Sequence, residues 1–159
     1  MSTGHHTAPD AVSTAVEVAV DPATAFRVFT ADMGAWYKDT PYSWNDPDRA
    51  VGIRIEPGVG GRWIEVWDAA TGEGFTMGTI TAWEAGRRLV MTYTSRRIPD
   101  PVTEIEVRFD PVPGGTRVTL EHRGFRNLPP DTAAEEVAHT RVGEPYLLAW
   151  LADHLGRIA

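Results

Sequence analysis

Cysteine is absent from this chain of 159 residues, which removes disulfides, thiolate nucleophiles and zinc–thiolate centres together. Lysine is nearly absent: Lys38 stands alone among 15 Lys and Arg residues, so a Schiff-base enzyme would have to use it. Serine is scarce, and no Ser lies in a nucleophile elbow. No apolar run approaches a membrane span. The amino-terminal residues lack the charged-then-apolar layout of a signal peptide, so a cytoplasmic location is expected. Positive charge is short as well. The formal net charge is −7 and no basic run stands out, which speaks against nucleic acid as a partner, because phosphate recognition needs clustered cations. There is no HExxH and no close His/Asp/Glu grouping of metal type; the His5-His6 pair has no third ligand beside it. Gly58-Val59-Gly60-Gly61 lacks the Gly-Lys-Ser/Thr ending of a phosphate loop. Neither a metal nor a cofactor is expected.

What is present suits a single domain with a real core, since 42% of the residues are hydrophobic and 23% charged. Residues 1–11 are small and polar without periodicity and read as a disordered tail; residues 12–159 read as one domain. Val16, Val18 and Val20 alternate as a strand. Asp21-Pro22 then opens a helix to about Thr30, with Asp at the N-cap and Pro at the first helical position. A second short helix covers Asp32–Tyr37. Residues 38–50, rich in Pro, Asp, Ser and Asn, read as a loop. Six strands follow near Gly52–Glu56, Arg62–Asp68, Gly74–Trp83, Arg87–Thr94, Thr103–Phe109 and Thr116–His122, parted by turn-like segments. Such spacing predicts antiparallel neighbours in one curved sheet. At the carboxyl end, Thr132 to Glu135 fits a capping box, and Leu147, Trp150, Leu151, His154, Leu155 and Ile158 keep the rhythm of an amphipathic helix. Gly143 and Pro145 predict a kink or break within it. The fold class is α+β: a curved antiparallel sheet wrapped around a long C-terminal helix, with two short helices after the first strand.

The most informative stretch is Ile55–Trp67, a Gly-Gly turn feeding a strand on which Trp63, Glu65 and Trp67 share one face. Two indoles around one carboxylate suit the wall of a cavity holding an apolar molecule with a polar handle. Alternation gives further inward sets: Leu89, Met91 and Tyr93; Ile105, Val107 and Phe109; Val118, Leu120 and His122. Glu104, Glu106 and Arg108 are then left facing water. Glu65, Tyr93 and His122 are the polar groups carried inward. They form a candidate acid–base set, a carboxylate, a phenol and an imidazole. The plainer alternative is that they hydrogen-bond one another or nearby backbone and orient a ligand or close the core.

Several segments resemble a known family. They are Asp21 to Phe26 with Phe29-Thr30, Trp36-Tyr37, Glu56-Pro57 with Gly60 to Trp63, Gly78, Trp83-Glu84, Arg88-Leu89 with Tyr93, Gly115 to Val118, and Glu121 to Phe125. Together they resemble the START/Bet v 1-like (SRPBCC) superfamily and, within it, the branch named for the activator of the Hsp90 ATPase. The resemblance implies the helix-grip fold. It also implies a cavity between sheet and C-terminal helix that takes a hydrophobic or aromatic small molecule, polyketide-like or lipid. The roles it suggests are carrier, sequestering or self-resistance protein, or sensor. The alternatives are a cyclase, dehydratase or isomerase working by acid–base catalysis without metal, and a co-chaperone-like protein partner. In this fold the helix–loop region carrying Trp36, Tyr37 and Trp44 forms the pocket mouth. Where the branch usually shows Gly-Trp in its last helix, this chain has Gly143-Glu144-Pro145, so a carboxylate replaces an indole and a larger or more polar pocket is expected. The candidate catalytic residues are thus Glu65, His122, Tyr93 and Glu144. The candidate ligand-lining residues are Trp36, Tyr37, Trp44, Trp63, Trp67, Met77, Met91, Val107, Leu120 and Tyr146.

Overall fold

A computed structural model describes residues 10–40 and 43–158. Strand β1 (Ala11–Val18) is followed by helices α1 (Pro22–Thr30) and α2 (Met33–Trp36). Strands β2 (Gly52–Ile55), β3 (Arg62–Asp68), β4 (Glu73–Glu84), β5 (Arg88–Tyr93), β6 (Thr103–Val112) and β7 (Gly115–Arg123) come next. A short 3-10 turn (Phe125–Asn127) leads into α3 (Pro130–Ile158). The strands form one antiparallel sheet ordered β1-β7-β6-β5-β4-β3-β2, so the first strand closes onto the last. Residues 1–9, which hold most of the expected tail and the His5-His6 pair, lie outside the described residues; Ala11 already belongs to β1.

Local chemistry explains the elements. Asp21 caps α1 by accepting the Thr24 N–H at 3.3 Å, and Pro22 supplies the fixed φ of the first turn. The turn before β3 needs glycine: Gly58 and Gly60 have φ of 85° and 88°, and a Cβ on Gly61 would lie 2.2 Å from the Glu56 carbonyl oxygen. That close approach lets Gly60 and Gly61 pair with Ile80 on β4.

The concave face of the sheet holds the core. Phe109, Val107, Leu120, Val118, Leu89 and Met91 meet Phe26 and Phe29 of α1 and Leu148, Leu151 and Leu155 of α3. Phe29 is 5.5 Å from Trp36 and 5.9 Å from Phe109 between ring centroids. Truncating such a ring to Ala costs about 3–5 kcal/mol. A smaller cluster of Val12, Phe125, Ala133 and Val137 seats the start of α3.

Three expectations are corrected here. α3 does not break at Gly143 or Pro145; it is one 29-residue helix with Pro145 inside it. Pro145 is exposed, and the buried stripe of α3 passes the proline on the other side of the helix, so packing there overrides the lost backbone bond. The helix starts at Pro130, with the Ala133 N–H bonded to the Pro129 carbonyl, so Thr132 lies in the first turn instead of capping it. Glu106 is on the outer face as expected but is only 8% exposed. Arg88 and Arg123 roof it at 2.5 and 2.6 Å. Burial alone would raise its carboxyl pKa; the bonds from Arg123 and Arg88 outweigh burial and hold it low.

Candidate functional site

Two polar groups of residues sit at the end of the interior where β3, β5 and β7 approach the loop after α2 and the middle of α3. The first is centred on Glu65, which is fully buried. Its Oε1 accepts the Asn45 backbone N–H at 2.5 Å and the Asn45 side-chain amide at 3.3 Å. Its Oε2 accepts the Asp46 N–H at 2.9 Å and the Trp67 indole N–H at 2.8 Å. The bond to Trp67 shows that the two do share a strand face. With four donors in place, the carboxylate holds the loop to β3. Arg96 ties the same loop to the β5–β6 connection, its backbone N–H on Asn45 Oδ1 and its guanidinium on the Asn45 carbonyl, both at 3.0 Å. Trp67 is half-buried, covered by the Arg49 guanidinium 4.9 Å above its ring.

The second group is centred on His122. Its Nδ1 is 3.0 Å from Glu144 Oε2 and its Nε2 is 3.0 Å from Thr103 Oγ1. The Tyr93 ring stands edge-on to the imidazole at 4.9 Å, and Trp63 lies 6.1 Å beyond Tyr93. Gly78, opposite Trp63 on β4, puts no side chain beside the indole. Glu144 reaches inward because it shares the buried stripe of α3 with Val137, Thr140, Leu148, Leu151 and Leu155, spaced three and four apart. Burial raises the Glu144 carboxyl above its ordinary value, and the hydrogen bond to His122 opposes that rise without cancelling it. Burial also raises the phenols of Tyr93 and Tyr37, so both are neutral hydroxyls near pH 7.

The pair has two self-consistent arrangements. With Glu144 ionised, Nδ1–H donates to Oε2 and Nε2 accepts from the Thr103 hydroxyl. With Glu144 protonated, its O–H donates to Nδ1, Nε2–H donates to Thr103, and the Thr103 hydroxyl turns to the Tyr93 carbonyl 3.5 Å away. The second arrangement holds one proton more than the first, so the set can take up or give up a proton while both ring nitrogens of His122 stay paired.

Two buried atoms here lack a hydrogen-bond partner among the described residues: Trp63 Nε1 and Glu144 Oε1. Both belong to the second group, one at each end of the Tyr93–His122 contact. A buried polar atom without a partner costs about 1–3 kcal/mol.

Aromatic side chains pack where the loop after α2 meets α3. Tyr37 lies 5.2 Å from Trp44 and 5.4 Å from Trp150 of α3, and its hydroxyl donates to the Ser43 carbonyl at 2.7 Å. Trp44 Nε1 donates to Asp39 at 2.6 Å, and Lys38 lies 3.5 Å from Asp153 of α3. Trp36, by contrast, belongs to the core: it is 2% exposed and its Nε1 donates to the Val28 carbonyl. Met77, Met91, Val107 and Leu120 are buried members of the main core. Tyr146, expected to line the site, is 60% exposed instead. It is two residues from both Glu144 and Leu148, which turns it to the opposite side of α3.

Two open clefts, of about 410 and 430 Å³, lie elsewhere, one beside β2 and the following β3–β4 turn, the other beside Gly86 and Pro111. Thr103 was missed from sequence, although it lies in phase with Ile105 on the inward face of β6. Among the described residues no group of three His, Asp or Glu side chains is placed to hold a metal ion, and no helix is long and apolar enough to cross a membrane.

Comparison with known proteins places this arrangement in a family context. Residues 19–156 match the family model described as Activator of Hsp90 ATPase homolog 1-like protein. Among curated proteins nothing matches the sequence. Solved structures similar to this one include a protein of Nitrosomonas europaea at 18% identity and TM-score 0.67, covering 94% of this chain and 96% of that one. An AHSA1-like protein of Aeromonas hydrophila is 19% identical at TM-score 0.63, covering 93% of each chain. CalU16 of Micromonospora echinospora is 17% identical at TM-score 0.65, covering 91% of this chain and 75% of that one. At these identities the likeness concerns the fold alone.

Proposed function

Because the chain belongs to the Activator of Hsp90 ATPase homolog 1-like family within the SRPBCC superfamily, we propose that it binds a hydrophobic or aromatic small molecule between its sheet and α3, as a carrier, sequestering protein or sensor. The observation that carries this reading is the pair of unpartnered buried atoms, Trp63 Nε1 and Glu144 Oε1, in an interior whose other polar groups, Glu65, His122 and Thr103 among them, are hydrogen-bonded. A core selected for stability alone would pair these atoms or replace them. Aromatic walls from Trp63, Tyr93, Tyr37 and Trp44 supply apolar contact. The loop held by Glu65 and Arg96 supplies a cover that opens to admit the ligand. Native mass spectrometry of protein isolated from its own cells, set against the denatured mass, tests the reading. A retained adduct of small-molecule size supports it. A clean mass, with no adduct recovered after incubation in the cells' own organic extract, counts against it.

A second reading is favoured by the Thr103–His122–Glu144 set. Such a set can take a proton from a bound molecule and return it elsewhere, as cyclisation, dehydration or isomerisation requires. In this reading His122 and Glu144 are the acid–base groups, Tyr93 orients the bound molecule, and Glu65 positions the loop. Turnover of a bound metabolite that His122→Ala and Glu144→Gln abolish would support it; turnover at the parent rate in both would remove it.

A further inference from the structure

We infer that the interior selects a neutral aromatic ligand carrying both a hydrogen-bond donor, for Glu144 Oε1, and an acceptor, for Trp63 Nε1, and that it rejects carboxylates. This inference rests on the ligand-binding reading and specifies its chemistry. Trp63 is 6% exposed and its indole N–H has no partner, so it asks for an acceptor. Glu144 uses Oε2 on His122 and leaves Oε1 bare, so it asks for a donor. Ring contacts run from Trp63 through Tyr93 to His122, which is bonded to Glu144, so the two bare atoms belong to one connected set, and the ligand inferred here lies along Tyr93 between them.

The charges nearby exclude the other ligand classes. An anion would enter beside the Glu144 and Glu65 carboxylates, and among the described residues the cations near it are already paired. Arg97 is bound to Glu136 at 2.7 Å, Arg96 lies 3.8 Å from Asp46, and Lys38 is paired with Asp153. An ammonium would satisfy Glu144 but offers Trp63 no acceptor. A hydrocarbon would leave both atoms bare. A phenol or enol with a separate carbonyl satisfies both.

Four related probes test this by isothermal titration calorimetry or equilibrium dialysis. They are 6-acetyl-2-naphthol, its methyl ether 2-acetyl-6-methoxynaphthalene, 2-ethylnaphthalene and 6-hydroxy-2-naphthoate. The naphthol is expected to bind about tenfold more tightly than the ether, the ether more tightly than the hydrocarbon, and the naphthol by a wider margin still than the carboxylate. Trp63→Phe should erase the advantage of the ketone, and Glu144→Leu that of the hydroxyl. Glu144→Gln keeps an acceptor without the charge, so it should keep the hydroxyl preference and relax the rejection of the carboxylate. Thermal midpoints confirm that each variant is folded. Equal affinities across the probes, a carboxylate that binds best, or an order unchanged in the variants would overturn the inference and leave ligand binding standing. Failure of all four probes, the hydrocarbon included, would count against both.

Discussion

Glu65 has four N–H donors on its two oxygens, whereas Glu144 has one ring nitrogen on one oxygen and, among the described residues, nothing on the other. Glu65 is fully buried and the Glu144 side chain is 13% exposed, and both are carried by regular elements facing the same interior. Glu65 is built into the frame, because its donors come from the loop it fixes and from its own strand. Glu144 is left incomplete, on a helix position that could have carried an apolar side chain. The difference separates a group that holds the molecule together from one that the molecule tolerates for another purpose.

Substitutions should drive the two apart. The largest effect is expected for Glu65→Ala, which strands the N–H groups of Asn45, Asp46 and Trp67. It should lower stability by about 3 kcal/mol in chemical denaturation and speed amide exchange at residues 43–46. A loss near zero would mean that the loop is held mainly by Arg96 and the aromatic contacts. Glu144→Leu should change stability by no more than about 1 kcal/mol, because it removes a half-paired carboxylate from an apolar setting while leaving His122 Nδ1 without its partner. Ligand affinity, not stability, should register that change.

A pH series sharpens the contrast. The folded-state pKa of Glu144 lies above the 4.5 of an ordinary glutamate, so the folded protein holds this proton more tightly than the unfolded chain does. Stability from this group is therefore full below 4.5 and declines as pH rises through the folded value. The unfolding free energy of the parent relative to Glu144→Gln should fall as pH rises above 4.5 and then level off. The lowered carboxylates, Glu106 and Asp10 among them, act with the opposite sign, losing stability as pH falls. They are common to both proteins and cancel in the difference. A flat difference would mean that His122 compensates the buried charge fully. The smallest effect is expected for Trp63→Phe. Removing an N–H that has no partner should leave the thermal midpoint unchanged or slightly raised, whereas a clear drop would reveal a partner for it.

Much of this contrast was legible in the sequence, and the remainder was not for definite reasons. Alternation placed His122 and Tyr93 inside because β7 and β5 each have one apolar face, and a one-residue slip would have exposed it. Asp21-Pro22 marked the start of α1 because the chemistry of a helix start is local. The position of Glu144 against His122 was not legible: it depends on how α3 is rotated about its axis and where along the sheet it lies. Local signals also misled. Gly143 and Pro145 suggested a break that packing overrides, and Thr132 suggested a cap two residues inside the true start. Two of the four donors to Glu65 are backbone N–H groups, which carry no side-chain signature at all. Thr103 was within reach, since it continues the alternation of Ile105 and Val107 by one more step.

The near absence of lysine has a practical side. Apart from the chain's own amino terminus, the ammonium of Lys38 is the one amine on the molecule, and it stands at the junction of the loop and α3, 3.5 Å from Asp153. An amine-reactive dye used at mildly alkaline pH would thus mark one side chain, near the Tyr37–Trp150 contact. Fluorescence from that single label, quenched by the neighbouring indoles when the loop is seated, would report opening directly. No engineered cysteine would be needed, and no other side chain would compete for the reagent.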